Sequence, residues 1–140
     1  MNPPSLDQDL GSAAEPNTAD RSPIIFHIAC KTTWAHALAI GSYTADSLAI
    51  EGFIHCSTAQ QVIATANRLF RGRRDLVLLC VDTNRLSPKI RYENLEGGTN
   101  LFPHVYGALN VDSIAAIYDF PPSDNGCFDL PPQFKNDTGR

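Results

Sequence analysis

Three histidines interrupt apolar runs in this chain, at His27, His55 and His104. Tyr43 and Tyr106 stand at similar breaks, as do Ser47, Ser57 and Glu93. Imidazole and hydroxyl groups can both donate to phosphate oxygens, and a tyrosine ring can stack on a base. A helix beginning at Ser57 would add an anion site at its N-terminus. The set points to a phosphate-rich ligand. Two rival chemistries use fewer of these residues. A three-histidine metal site finds no HxH or HExxH spacing to support it. A Cys56 nucleophile with a histidine base meets the alternation of an extended chain, which turns His55 and Cys56 to opposite faces. Each histidine also has a plain structural explanation, because a core-edge imidazole is satisfied by one backbone carbonyl. Three such breaks at strand and loop ends, where sites collect, favour a shared site.

The element that must position them is the stretch from Gly52 to Phe70. A short apolar strand carries Phe53, His55 and Ser57 on one face and Ile54 and Cys56 on the other. It runs into a helical segment. Ser57 is expected as its N-cap and Gln60 as the capping-box partner. Val62, Ile63, Ala66, Leu69 and Phe70 then recur at helical spacing as one apolar stripe. Before this unit, Ile24 to Ile28 reads as a strand with His27 on the face of Ile25, opposite Phe26 and Ile28. Thr32 or Thr33 caps a helix of about two turns whose inward stripe is Trp34, Ala37 and Leu38, with His36 facing solvent and Gly41 at the end. Tyr43 follows in a loop, as a ring anchor or a stacking surface. Thr44 or Asp46 caps a short turn carrying Leu48 and Ile50, closed by Gly52.

After the central unit, Leu76 to Val81 has no polar face, the mark of a strand covered on both sides. Lys89 to Glu93 alternates and reads as half exposed. Across a polar loop, His104 and Tyr106 share one face of an extended run, with Val105 on the other. Ile114 to Phe120 is the last strand, stopped by Pro121 and Pro122. The order, two early helices then a strand-rich half, predicts an α+β fold over repeated βαβ units.

Composition narrows the partners. The 140 residues suit one domain able to bury its own core. A formal net charge of -4 argues against a DNA footprint. The compact basic run Arg71, Arg73 and Arg74 follows a helix end, where cations suit the dipole, with phosphate binding as the alternative role. Four scattered cysteines without CxxC pairing suggest a reducing compartment. Neither a signal peptide nor a membrane-length apolar run is evident, so a cytoplasmic, non-membrane protein is the expectation. Residues 1–23 read as a disordered tail, 24–120 as the domain, and 121–140 as an extension that either lies along the body or frays.

Taken together, Ile25-Phe26-His27-Ile28, the Trp34–Ala37 helix, Gly41-x-Tyr43, Gly52 to Ser57, Gln60, Ala66-Asn67, Phe70 and Phe102 to Gly107 resemble the DUF952 family over about Ile24 to Phe120. That is a family of small, mostly bacterial proteins of unknown function, similar in fold to the ADP-ribosyltransferase and RNA 2'-phosphotransferase superfamily. The resemblance implies a split, bent β-sheet core with peripheral helices and an NAD- or ADP-ribose-like ligand in a cleft. It implies that His27 fixes the nicotinamide ribose, Tyr43 packs on nicotinamide, His55 echoes the second histidine of the phosphotransferases as a phosphate-facing catalytic residue, and Glu93 is the catalytic carboxylate. An RNA 2'-phosphate end is a further partner of this kind. Two alternatives stand beside the transferase: a binding module without turnover, and an interaction protein without a small ligand.

Overall fold

The computed structural model describes residues 23–95 and 97–132. Of the expected tail, residues 1–23, all but Pro23 lie outside them. Among the described residues, eight strands and three α-helices follow one another as β1 (Ile24–Cys30), α1 (Lys31–Ile40), β2 (Ser42–Tyr43), α2 (Asp46–Glu51), β3 (Ile54–His55), α3 (Val62–Leu69), β4 (Leu76–Asp82), β5 (Lys89–Glu93), β6 (Phe102–Tyr106), β7 (Leu109–Asn110) and β8 (Ile114–Asp119). They make three antiparallel sheets, in the orders β1-β4-β8, β3-β6-β5 and the two-stranded β2-β7. The fold is α+β, with a split antiparallel core and helices at its edges.

β4 is the centre of the first sheet, as its unbroken apolar run requires. Leu76 to Val81 are all buried, and the strand pairs with β1 on one side and β8 on the other. Leu78 and Leu79 are fully buried, each worth about 1.5–3 kcal/mol of apolar transfer. The two faces of this sheet feed two cores. Ile25, Ala29, Leu79 and Val81 pack with Ile54, Cys56 and Val105 of the second sheet. Phe26, Ile28, Leu78 and Cys80 pack under Val62 and Ala66 of α3 and against Phe120 and Phe128. The alternation read from β1 is therefore realised. His27 lies on the face that meets the second sheet.

Several boundaries differ from expectation. α1 starts at Lys31, straight out of β1, so Cys30 is its N-cap and neither Thr32 nor Thr33 caps it. Gly41 ends it in the left-handed region at φ 85°, donating to the Ala37 carbonyl. Leu38 is exposed, because no element covers that side of the helix. The N-cap of α2 is Ala45, not Thr44 or Asp46, and Ile50 is exposed. Gly52 closes α2 with φ 93°.

The largest correction concerns Ser57. It does not cap a helix. Its backbone N–H and C=O are both committed to Phe26, at 2.8 Å each, as a lone bridge on the free edge of β1. The chain then turns through residues 58–61, and α3 begins only at Val62. Gln61, not Gln60, performs the reciprocal cap, its side-chain oxygen accepting from the Thr58 N–H at 3.0 Å. Leu69, placed on the inward stripe, is exposed. At the other end of the chain, Asn67 accepts from the Phe128 N–H at 2.7 Å, and Gly72 donates to the Gly126 carbonyl. These bonds hold the segment after Phe120 along the body as far as residue 132.

Candidate functional site

Strand register assembles the polar cluster. β6 lies between β3 and β5, with His55 opposite His104 and Arg91 opposite His104 on the other side. Directly opposed residues share a face. One face of this sheet therefore carries His55, His104, Arg91 and Glu93, while Ile54 and Val105 enter the core on the other. A cavity of about 600 Å³ opens beside this face. His27 and Ser57 border it, as do Tyr43 and Ser47, and α3 contributes Arg68. Of the eight polar residues picked out by type, seven reach this one cavity. Tyr106 lies behind it and acts through Glu93.

His27 is buried and fully engaged. Its Nδ1 lies 2.6 Å from the backbone carbonyl of His55, which can only accept, so Nδ1 carries the proton. Nε2 is then an acceptor and takes the Tyr43 O–H at 2.8 Å. Burial lowers the imidazole pKa to about 4, against a partly offsetting backbone bond and a further lowering from His55. The ring is a neutral bridge between β2 and β3. Tyr43 lies in the short strand β2 rather than in a loop, with its hydroxyl bonded and its side chain buried, and burial raises its pKa well above the usual value. A ribose hydroxyl could reach Nε2 of His27 only by displacing Tyr43.

His55 is different. Its side chain is 50% exposed and bonds only Glu51, Nε2 to Oε1 at 3.2 Å. Its main chain is an anchor while its ring stands at the cavity. His104 is buried, stacked flat on Phe53 at 4.2 Å between ring centroids, and edge-on to His55 at 5.3 Å. Its Nδ1 meets Glu93 Oε1 at 2.9 Å. The same oxygen accepts the Tyr106 O–H at 2.7 Å. Burial, then this bond, raises the Tyr106 hydroxyl pKa to about 12. The Arg91 guanidinium lies 5.3 Å from the centroid of the Tyr106 ring.

Cys56 packs in the core with its thiol pKa pushed up to about 12 by burial, which keeps it protonated and unreactive. Among the described residues no group of three or more His, Cys, Asp or Glu side chains could hold a metal. No helix among them is long and apolar enough to cross a membrane. Sequence reasoning did not single out Phe53 as the platform under His104, Glu51 as the partner of His55, or Arg68 at the rim; Arg73, named in the basic run, also borders the cavity. The apolar Phe53 two residues before His55 was the one available signal, since both share a strand face. Arg73 is held by Asp75 through two bonds, at 3.1 and 2.8 Å, and touches Cys30 Sγ at 3.1 Å.

Comparison with known proteins identifies relatives in sequence and in fold. Residues 28–117 match the family described as "Protein of unknown function (DUF952)". The crystal structure of protein CC0527 from Caulobacter crescentus is similar at a TM-score of 0.70 and 32% identity, covering 76% of this chain and 94% of that one. The solution structure of CC0527 gives 0.68 and 31%, over 83% and 97%. None of the curated proteins matches. In sequence and in fold alike, the chain belongs to the DUF952 family.

Proposed function

We propose that the cavity binds a small phosphate-bearing nucleotide of the NAD or ADP-ribose type, on a fold related to the ADP-ribosyltransferases and RNA 2'-phosphotransferases. The single observation that carries this reading is the convergence of His27, Tyr43, His55, Glu93 and His104, from five strands, on one cavity of about 600 Å³. That volume suits a small-molecule site, and its walls mix apolar side chains with many polar and charged ones. Phosphate would meet His55, whose ring is accessible, and the exposed Arg68, which lines the same cavity. The start of α1 takes over the dipole role assigned to the Ser57 helix. Cys30 and Thr33 border the cavity there, and no side chain of the cap residue bonds the helix's first N–H groups, although Lys31 N–H already donates to the Asp75 carbonyl. His27 contributes by holding Tyr43 and the His55 backbone in place.

Transfer would break the bond between ribose and nicotinamide, building positive charge on the sugar. Glu93 is the carboxylate at hand. A non-catalytic binding module is the second reading, and one observation favours it: Glu93 Oε1 already accepts from both His104 and Tyr106. Calorimetry with NAD, ADP-ribose and an RNA ending in a 2'-phosphate tests the binding. We expect heat with at least one, reduced about tenfold or more in affinity by a combined His55→Ala, Arg68→Ala change, the worth of one or two charge-assisted bonds. Folded protein that binds none of the three ends the proposal.

A further inference from the structure

His104 combines deep burial with an unfilled hydrogen-bonding position. Its side chain is 6% exposed, and it borders the cavity. An ionised carboxylate only accepts, so Nδ1, facing Glu93, carries the proton of the neutral ring and Nε2 keeps its lone pair. Among the described residues no protein group hydrogen-bonds Nε2. The ring is fixed on three sides. Phe53 lies against its face at an interplanar angle of 19°. Glu93 holds Nδ1, and Tyr106 holds Glu93. The strand that carries it is paired on both edges.

This is the arrangement of an oriented base. The carboxylate selects the tautomer and stabilises the imidazolium that forms when Nε2 takes a proton. The Cys56 thiol is buried in the core on the opposite strand face, and the Cys30 sulfur at the cavity border is engaged by Arg73 at 3.1 Å, so neither is assigned as the nucleophile. The attacking oxygen must then come from water or from a second substrate.

Resting on the nucleotide reading above, we infer that His104 is the general base of the cavity, activating a water or acceptor hydroxyl for attack on the ribose carbon that bears nicotinamide. The oxygen forms its bond to that carbon as the carbon–nitrogen bond to the pyridinium breaks. The bonding pair leaves with the nitrogen and cancels its positive charge, so the departing ring needs no proton. The hydroxyl proton passes to Nε2 and from there to solvent. Through Oε1, Glu93 positions His104 in this scheme, in addition to facing the charge that builds on the sugar. The charged and titratable groups facing His104 are Glu93 and Arg91 on β5, His55 on β3 with Glu51 behind it, and Tyr106 on its own strand.

The test uses the full chain with NAD, following nicotinamide release across pH and NAD binding by calorimetry in parallel. Release is expected in the wild type. It should fall about a hundredfold or more in His104→Ala and in the closer-fitting His104→Gln, the usual contribution of a positioned base, with NAD affinity within about threefold. The wild-type rate should rise along an acid limb. That limb should vanish in His104→Gln and move to lower pH in Glu93→Gln, where a neutral amide no longer stabilises the imidazolium. Purely structural damage would lower the rate without moving the limb. NAD binding without release overturns the general-base role and leaves the nucleotide reading standing. Undiminished release in both His104 variants overturns it too. Absence of NAD binding by folded protein overturns the general-base role, and the nucleotide reading falls with it only if ADP-ribose and the 2'-phosphate RNA also fail to bind.

Discussion

Replacing His27 by Gln gives a direct measure of how the buried bridge responds to pH. Glutamine can still donate to the His55 carbonyl and accept from Tyr43, but it cannot take up a proton. In the wild type, burial holds His27 neutral, with a pKa of about 4 against 6.5 for an exposed imidazole. The folded value lies below the unfolded one. The resulting stability is therefore complete above pH 6.5 and is lost as pH falls, because the unfolded chain binds the proton first. Over the full window the loss is about 3 kcal/mol, and about 2 kcal/mol of it falls between pH 7 and pH 5. Urea unfolding at those two pH values, in wild type and variant, isolates the term, since every other titrating group is common to both. The wild type should lose about 2 kcal/mol more than His27→Gln between pH 7 and pH 5. Equal losses in the two proteins would refute the account of His27 as a neutral, desolvated bridge.

Tyr43→Phe removes the donor to His27 Nε2 and leaves a buried acceptor unmet, so urea unfolding at pH 7 should show a loss of about 1–3 kcal/mol. Gly107→Ala would place a Cβ 2.7 Å from the Pro88 Cβ, a ring atom that cannot swing aside, and thermal unfolding should show a cost of about 1–3 kcal/mol. In native protein a thiol-reactive disulfide reagent should reach the partly exposed Cys30 and Cys127 quickly. Cys56 and Cys80, buried and each pushed up to about 12, should react only on unfolding.

Much of the scaffold could be read from local pattern. The apolar run at Leu76 to Val81 announced a strand covered on both faces, and the alternation around His27 and His55 placed each ring on its correct side. Gly41 and Gly52 marked helix ends through their tolerance of positive φ. Periodicity reports which side of an element is buried, but it does not name the partner. Ser57 illustrates the cost. Its type and position suit an N-cap, yet a distant strand edge at Phe26 captured its backbone first. Leu38 and Leu69 sit at helical spacing with the buried residues, but no neighbouring element reaches them. The pairing of His55 with His104 follows from the register of strands far apart in the chain, which no local signal encodes. For the same reason Glu93 could be nominated as a carboxylate near the site, whereas its engagement by two internal donors could not be foreseen.

The bond from His27 reaches the main chain at position 55, and the imidazole at that position projects outward. The fold therefore grips residue 55 by an atom that every amino acid possesses. Anchorage and surface chemistry are decoupled there, so an exchanged side chain inherits the same placement at the mouth of the cleft. A cysteine introduced at 55 and labelled with a small fluorophore would ride on an undisturbed scaffold and report arrivals in the cleft. Position 104, wedged between Phe53 and Glu93, offers no such liberty.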